Sequence, residues 1–159
     1  MNKAVFTLLL LLPIALAATG CHKDYIPNTE IEDNDENREV VAFCERYRHA
    51  VEDLNVGLLL SLASPRYFDN SGTSTGDDDF DRAGLEQVLV ERFKSVKAMR
   101  YEIKYRDIYE CESLLCVDYS YTMSFQYTIG DTTKWSNKTA DNRLELERVD
   151  DSFLVVSGM

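Results

Sequence analysis

The chain has 159 residues, a formal net charge of −11 at pH 7 and 45% hydrophobic residues. This length and hydrophobic share suit one domain with a packed core. The acidic balance argues against nucleic acid as a partner, because a negative surface repels phosphate backbones. The composition therefore predicts a single folded domain that does not bind DNA or RNA.

The first 21 residues have the features of a processing signal. Lys3 precedes an apolar run over residues 4–18, and small residues at 18–20 then lead to Cys21. This order resembles the bacterial lipobox, with Ala18 in place of the usual leucine three residues before the cysteine. The resemblance implies that residues 1–20 are removed and that Cys21 carries lipid. The alternative is a plain secreted protein with an incidental cysteine.

A lipidated cysteine would fix where the domain works. The apolar run is shorter than the roughly 20 residues that a transmembrane helix needs, so we expect an anchor without a membrane-spanning segment. Several acyl chains hold a protein durably on a bilayer. We therefore predict a membrane-tethered protein of the bacterial cell envelope, on the periplasmic face of the outer membrane.

Three cysteines remain once Cys21 is assigned. Cys111 and Cys116 flank a predicted turn between two strand-like runs, so they can approach to disulfide distance in an oxidising compartment. Cys44 falls on the apolar side of a predicted helix and is expected to be a buried thiol. The chain has two histidines, and its acidic run at 77–79 lacks the spacing of a calcium loop. We predict no metal and no cofactor.

The polar, acidic stretch over residues 21–38 predicts a solvated tether, and residues 39–159 are expected to form the domain. Apolar residues then recur at helical spacing from Val40 to Leu54. The stretch over 64–81 is rich in Gly, Ser, Asp and Asn and predicts a loop.

Two further helices are predicted on either side of that loop. Asn55 and Asp81 are suitable N-caps for them, because their side chains can accept hydrogen bonds from the free backbone N–H groups of a first turn. Pro65 stops the shorter helix. The longer one is expected to carry Leu85 and Val96 on one apolar face.

Beyond residue 100 the period changes from helix to strand. Tyr101 and Tyr105 belong to an alternating run whose phase shifts near Asp107, as a β-bulge would cause. The clearest strand covers 117–129, with apolar residues at odd positions and polar residues at even ones. Turns at 130–131 and 150–151 separate it from two more strand regions, 135–149 and 153–159.

Three helices followed by long antiparallel strands describe an α+β domain. Residues 39–159 resemble the nuclear transport factor 2-like superfamily in this order. The resemblance rests on LLLSLASPRYFDNSG after the second helix, on the aromatic hairpin and on FLVVSGM at 153–159. It implies three helices packed on a curved antiparallel sheet, forming a cone whose open end can hold a small molecule.

The resemblance also suggests which side chains line the cone. Tyrosine and tryptophan suit such a site because each combines apolar area with one hydrogen-bonding group. The alternative is that these aromatic residues fill the core and leave no cavity. The candidates are Tyr47, Tyr67, Tyr121, Phe125 and Trp135.

Asp69 is the candidate for chemistry. Ketosteroid isomerase, a member of this superfamily, places a proton-shuttling aspartate in the loop after the second helix, where Asp69 falls. Tyr47 could supply a hydrogen bond to an oxyanion, but no second acid is evident on the inward face of a strand, since Asp118 lies on the polar face. The catalytic set is therefore incomplete, and Asp69 could equally be a loop residue that stabilises a turn.

Two main functions follow from these observations. The first is a non-catalytic domain that binds a small apolar molecule or an envelope protein. The alternative is a small isomerase, cyclase or dehydratase that uses Asp69 as a general base with Tyr47 as hydrogen-bond donor. A homodimer that buries the outer sheet face is a weaker third idea, because residues 118–128 place Ser and Thr there.

Overall fold

The computed structural model describes residues 23–71, 75–76 and 78–159. Our predictions of a signal peptide at 1–20 and of lipidation at Cys21 lie outside these residues. Within them, no helix combines the length and apolar character that crossing a membrane requires. The elements in chain order are α1 (Asp35–Glu52), α2 (Val56–Leu62), β1 (Phe68–Asp69), β2 (Phe80–Asp81), α3 (Arg82–Phe93), β3 (Val96–Cys111), β4 (Leu114–Ile129), β5 (Thr132–Val149) and β6 (Ser152–Ser157).

Helix α1 is stabilised at its first turn and along one apolar face. The Asn34 side chain accepts a hydrogen bond from the Asn37 backbone N–H, and two acidic residues follow in the turn where the helix dipole favours negative charge. The predicted apolar stripe is confirmed except at Leu54, which lies beyond the helix with a φ of 53°. Its buried residues are Val40, Phe43, Cys44, Tyr47, Ala50 and Val51.

The two shorter helices begin at the predicted caps. Asn55 accepts a hydrogen bond from the Leu58 N–H at 2.9 Å, and Asp81 accepts one from the Gly84 N–H at 2.9 Å. The prediction that Val96 lies on the face of the third helix is wrong. Helix α3 ends before Val96, and this β-branched residue instead begins β3, where it pairs with β4.

The four long strands form one antiparallel sheet in chain order, β3-β4-β5-β6. We call the side of the sheet that packs against the helices its inner face. Odd-numbered residues of β4 lie on this face opposite even-numbered residues of β5, as in the pairs Val117–Leu144 and Tyr121–Ala140. The predicted alternation of β4 is therefore confirmed.

The irregular points of the sheet are also where the sequence predicts them. The register between β3 and β4 shifts between Tyr105 and Asp107, which confirms the bulge. Gly130 and Asp150 have φ values of 57° and 51° in the two tight turns. The predicted loop at 64–81 is mostly irregular, but β1 and β2 pair within it.

A single core lies between the inner face and the helices. Fully buried side chains come from both layers, for example Leu59 and Leu85 from the helices and Leu146 and Val155 from the strands. The predicted α+β class, with three helices on one antiparallel sheet, is confirmed. The buried Ser64 hydroxyl donates a hydrogen bond to the carboxylate of Glu147 on β5.

Residues 23–34 contact the domain, contrary to the prediction of a solvated tether over 21–38. The Glu30 N–H donates to the carbonyl oxygen of Tyr105 on β3 at 3.0 Å. Ile31 is 3% exposed and belongs to the core. Tyr25, Ile26 and Ile31 are the large hydrophobic residues of this acidic stretch, and their spacing is neither helical nor alternating, which is why the sequence did not indicate this contact. We call residues 23–34 the clasp.

The cysteines are arranged as predicted. Cys111 and Cys116 form a disulfide across the β3–β4 turn, with their Cα atoms 5.8 Å apart. Among the described cysteines, Cys44 is the free one, and it is buried. Burial raises the pKa of the Cys44 thiol, so it stays protonated and unreactive at neutral pH.

The clasp can be tested by truncating its buried side chain. We expect Ile31→Ala to lower the free energy of unfolding by about 2–4 kcal/mol, because it removes buried methyl groups and leaves a cavity. Tyr25→Ala in the same segment removes an exposed side chain and should change it by less than about 0.5 kcal/mol. Urea unfolding of both variants measures the difference, and equal small effects would mean that the segment is a free tether.

Candidate functional site

A cavity of about 770 Å³ lies between the inner face of the sheet and helices α1 and α3. Sites for small molecules typically enclose roughly 300–1,000 Å³, so this one is large enough for a ligand. The aromatic residues line the cone without filling it. The apolar wall is made by Val51, Leu59, Phe80, Leu89, Phe93, Met99, Tyr121, Met123 and Phe125.

Three tyrosines are buried close to one another: Tyr47 from α1, Tyr101 from β3 and Tyr119 from β4. The Asn142 amide donates to the Tyr119 hydroxyl at 2.9 Å. Burial raises the pKa of all three phenols, so they are neutral at pH 7. Tyr47, our predicted oxyanion donor, is 4% exposed.

The half-buried carboxylate of Asp69 accepts three hydrogen bonds. Its Oδ2 accepts from the Tyr67 hydroxyl at 3.1 Å and from the Gly158 N–H at 3.0 Å. Its Oδ1 accepts from the Ser71 N–H at 2.7 Å. The Tyr67 hydroxyl in turn accepts from the Met159 N–H at 3.1 Å. The carboxylate thus links the loop after α2 to the segment after β6.

Gly158 makes this link possible because no side chain would fit there. Its φ is 95°, and a Cβ at this position would lie 1.9 Å from the carbonyl oxygen of Arg143. Its own carbonyl oxygen accepts from the Asn142 amide at 2.9 Å. Close contact with β5 holds the Gly158 N–H where it can reach Asp69.

The structure brings four of the predicted site residues to the cavity wall. Tyr47 and Asp69 line it together, as the enzyme hypothesis requires, and Tyr121 and Phe125 line its sheet side. Tyr67 is 2% exposed and is not a wall residue. Its role is to hold Asp69 from behind.

Trp135 lies outside the cavity, contrary to our prediction. It pairs with Gln126, a residue on the polar side of β4, and it is 59% exposed. The cause is strand parity, because even-numbered β4 residues and odd-numbered β5 residues share the outer face. Residues 132–143 alternate weakly in hydrophobicity, so the sequence did not show which side of β5 faces inward.

Several wall residues were missed by sequence reasoning. Arg92 near the end of α3 and Lys138 on β5 line the cavity, and so does the Asn142 that bonds Tyr119. In the structure the β5 residues among them share the parity of the inward-facing Leu144, but the weak alternation of residues 132–143 did not carry that parity along the strand. Nothing in the pattern around residue 158 marked that glycine as a contact point.

No family model and no curated protein matches the chain. Solved structures do match. A proposed dehydratase of the NTF2-like family from Streptomyces avermitilis has a TM-score of 0.64 and 10% identity, covering 77% of this chain and 92% of its own. A proposed scytalone dehydratase from Novosphingobium aromaticivorans has a TM-score of 0.61 and 10% identity, covering 77% of this chain and 80% of its own. The chain has the nuclear transport factor 2-like fold.

Another structural neighbour with this fold has a different description. A proposed calcium/calmodulin-dependent protein kinase II association domain from Xanthomonas campestris has a TM-score of 0.59 and 18% identity, covering 86% of this chain and 90% of its own. At such identities the likeness establishes the nuclear transport factor 2-like fold and not an activity. Function must therefore be argued from the cavity itself.

The described residues offer no evident metal ligands. Within residues 23–71, 75–76 and 78–159, no group of three or more His, Cys, Asp or Glu side chains is placed to hold a metal ion.

The contact at Gly158 predicts a strong effect of a single methyl group. Gly158→Ala should lower the free energy of unfolding by at least ~2 kcal/mol, because the Cβ forces backbone atoms apart at a positive φ. Gly130→Ala is the matched control: its φ is also positive, but nothing lies within 4 Å of the added Cβ. It should cost only ~1 kcal/mol. Equal losses in thermal or urea unfolding would show that the contact at Gly158 is unimportant.

Proposed function

We propose that this domain is a non-catalytic module that holds a small, largely apolar molecule in its cavity. The observation that supports this most directly is a cavity of about 770 Å³ with an aromatic and methionine wall. A wall of this kind gains free energy from removing apolar surface from water, whatever the detailed shape of the ligand.

The state of the two candidate catalytic groups favours binding over catalysis. A general base must have a lone pair free to take a proton from a substrate. The Asp69 carboxylate has roughly four acceptor positions, and three of them are taken by two backbone N–H groups and the Tyr67 hydroxyl. Tyr47 is 4% exposed, and its ring centroid lies 6.4 Å from that of the buried Tyr101.

An enzyme is the second candidate, for one specific reason. Asp69 and Tyr47 line the same cavity, and two structural neighbours are described as proposed dehydratases. In that case the bound molecule is converted by the wild-type protein, and Asp69→Asn abolishes its turnover. Binding without conversion is what the non-catalytic proposal expects.

Filling the cavity should abolish binding. Ala140 lines the cavity, and its neighbour Thr139 is exposed on the outer face. We expect Ala140→Trp to weaken binding of a neutral apolar fluorophore at least tenfold, because an indole occupies ligand volume. Thr139→Trp adds the same group outside the cavity and should leave affinity unchanged. Fluorescence titration with melting curves as a folding check measures this, and unchanged affinity in Ala140→Trp would exclude the cavity as the binding site.

We further propose that the module is displayed on a membrane of the bacterial envelope through lipid on Cys21. The support is the order of residues 1–21 in the sequence: a positive charge, an apolar run and small residues before the cysteine. Lipid chains would anchor an acidic domain that has no electrostatic attraction to anionic lipid surfaces.

Lipid on Cys21 can be tested by replacing this residue and following whether the protein still sediments with membranes. We expect the wild-type protein to sediment with membranes and Cys21→Ser to appear in the soluble envelope fraction, because serine cannot form the thioether. Cys44→Ser is the control, since it changes a buried thiol within the domain. Membrane association of Cys21→Ser, together with an unmodified mass for the native protein, would contradict the proposal.

A further inference from the structure

The clasp is folded back on itself and bound to the domain from its first residues onwards. The Asp33 N–H donates to the Asp24 carbonyl oxygen at 2.8 Å, and Tyr25 and Glu32 form an antiparallel bridge. Glu30 holds the segment on β3 through its backbone N–H and its carboxylate. The chain is therefore fixed to the domain from Asp24, well before α1 begins.

This attachment leaves little free chain between the domain and the lipid proposed on Cys21. His22 and Lys23 separate Cys21 from Asp24 in the sequence. Three peptide steps span at most roughly 10 Å, whereas a free tether over residues 21–38 would span up to about 60 Å. A lipid on Cys21 would thus keep Asp24 close to the surface of the bilayer.

Asp24 lies at one end of the molecule, which we call the anchor end. It is bonded to the residue that precedes the N-cap of α1. Near the start of α1, Glu36 forms an ion pair of 2.8 Å with Arg148, next to the turn at 150–151. In an antiparallel sheet of four consecutive strands, the turn at 112–113 lies at the same end. The anchor end therefore consists of the start of α1, the open end of the clasp and these two turns.

The cavity lies in the opposite half of the molecule. Its wall residue on α1, Tyr47, is twelve residues beyond Asp35, which is roughly 18 Å along the helix. On β4 the wall residues Tyr121 and Phe125 are six and ten residues beyond Leu115, or roughly 20 and 33 Å along the strand. A bilayer at the anchor end is thus separated from the cavity by the lower part of the core.

We propose that the anchor end is the surface that faces the lipid bilayer, and that the clasp mounts the domain end-on with the cavity half in the aqueous phase. This rests on the proposed lipid at Cys21 and adds an orientation to it. A chain of net charge −11 that is held at one end is repelled by anionic headgroups along its length, which favours the end-on arrangement over lying flat. The cavity then takes its ligand from water and not from the membrane beneath it.

Chemical attachment reproduces the anchor without depending on processing in the cell. Residues 21–159, which contain every described residue, are coupled through Cys21 to a maleimide-bearing lipid in anionic vesicles. Cys44 is buried, and Cys111 and Cys116 are joined in a disulfide, so the reaction is directed to Cys21. The vesicles also contain a lipid with a nitroxide on its headgroup, which quenches the fluorescence of indoles that lie close to the surface.

The native tryptophan reports on the cavity half. Trp135 is the one tryptophan in the sequence, is 59% exposed and lies about 36 Å along the sheet from the start of β4. Ser113→Trp and Asp151→Trp, each combined with Trp135→Phe, move the indole to exposed turns of the anchor end. Because of this separation, we expect at least about twofold greater quenching at either turn than at position 135. Melting temperatures check that each variant is folded.

A spacer tests whether the short connection sets the orientation. Ten Gly-Ser residues inserted between His22 and Lys23 add a flexible reach of about 18 Å. We expect quenching at positions 113 and 135 to become similar, because the domain is then free to turn. The matched control is the same spacer between Gly130 and Asp131, in the turn farthest from the anchor end, which should leave the difference unchanged.

The outcomes separate this proposal from the anchor on which it rests. Equal quenching at the turns and at position 135 without a spacer, or no effect of the spacer at residue 22, would overturn the end-on orientation and leave the lipid anchor and the binding function standing. A native protein that carries no lipid in the fractionation test would instead reject the anchor, and with it the membrane-facing role of this end.

Discussion

The hydrogen bond from the Gly158 N–H to the Asp69 carboxylate fixes one end of the cavity. It connects the loop after α2 to the segment after β6, two regions that are far apart in sequence. A half-buried carboxylate is stable there only because three donors replace the water it has lost. The position of the loop over the inner face therefore depends on a glycine that can contact the carbonyl oxygen of Arg143.

These hydrogen bonds give a structural role to Asp69, a residue whose sequence position made it a candidate for catalysis. The resemblance seen in the sequence made Asp69 a candidate general base, and in the structure its carboxylate accepts three hydrogen bonds, one of them from Gly158 after β6. Tyr47 is buried, with its ring edge-to-face against Tyr101. The apolar wall of the cavity is the surface on which the proposed binding function rests.

Strong local patterns in the sequence predicted most of the fold. The alternation of β4, the side-chain caps of α2 and α3 and the bulge near Asp107 each arise from interactions within a few residues or with an adjacent strand. The features that could not be predicted depend on distant contacts. Trp135 faces outward because of the register that pairs it with Gln126, and the need for glycine at 158 comes from a backbone atom of β5.

At high local concentration, the clasp affects whether neighbouring copies of the protein pair through the edges of their sheets. Strand β3 is at the edge of the sheet and presents a long row of backbone groups that a second chain could pair with. The Glu30 N–H occupies the Tyr105 carbonyl, the Glu30 carboxylate pairs with Lys104, and the bulge interrupts the row immediately beyond. These contacts make edge-to-edge pairing with another molecule less favourable along this part of β3.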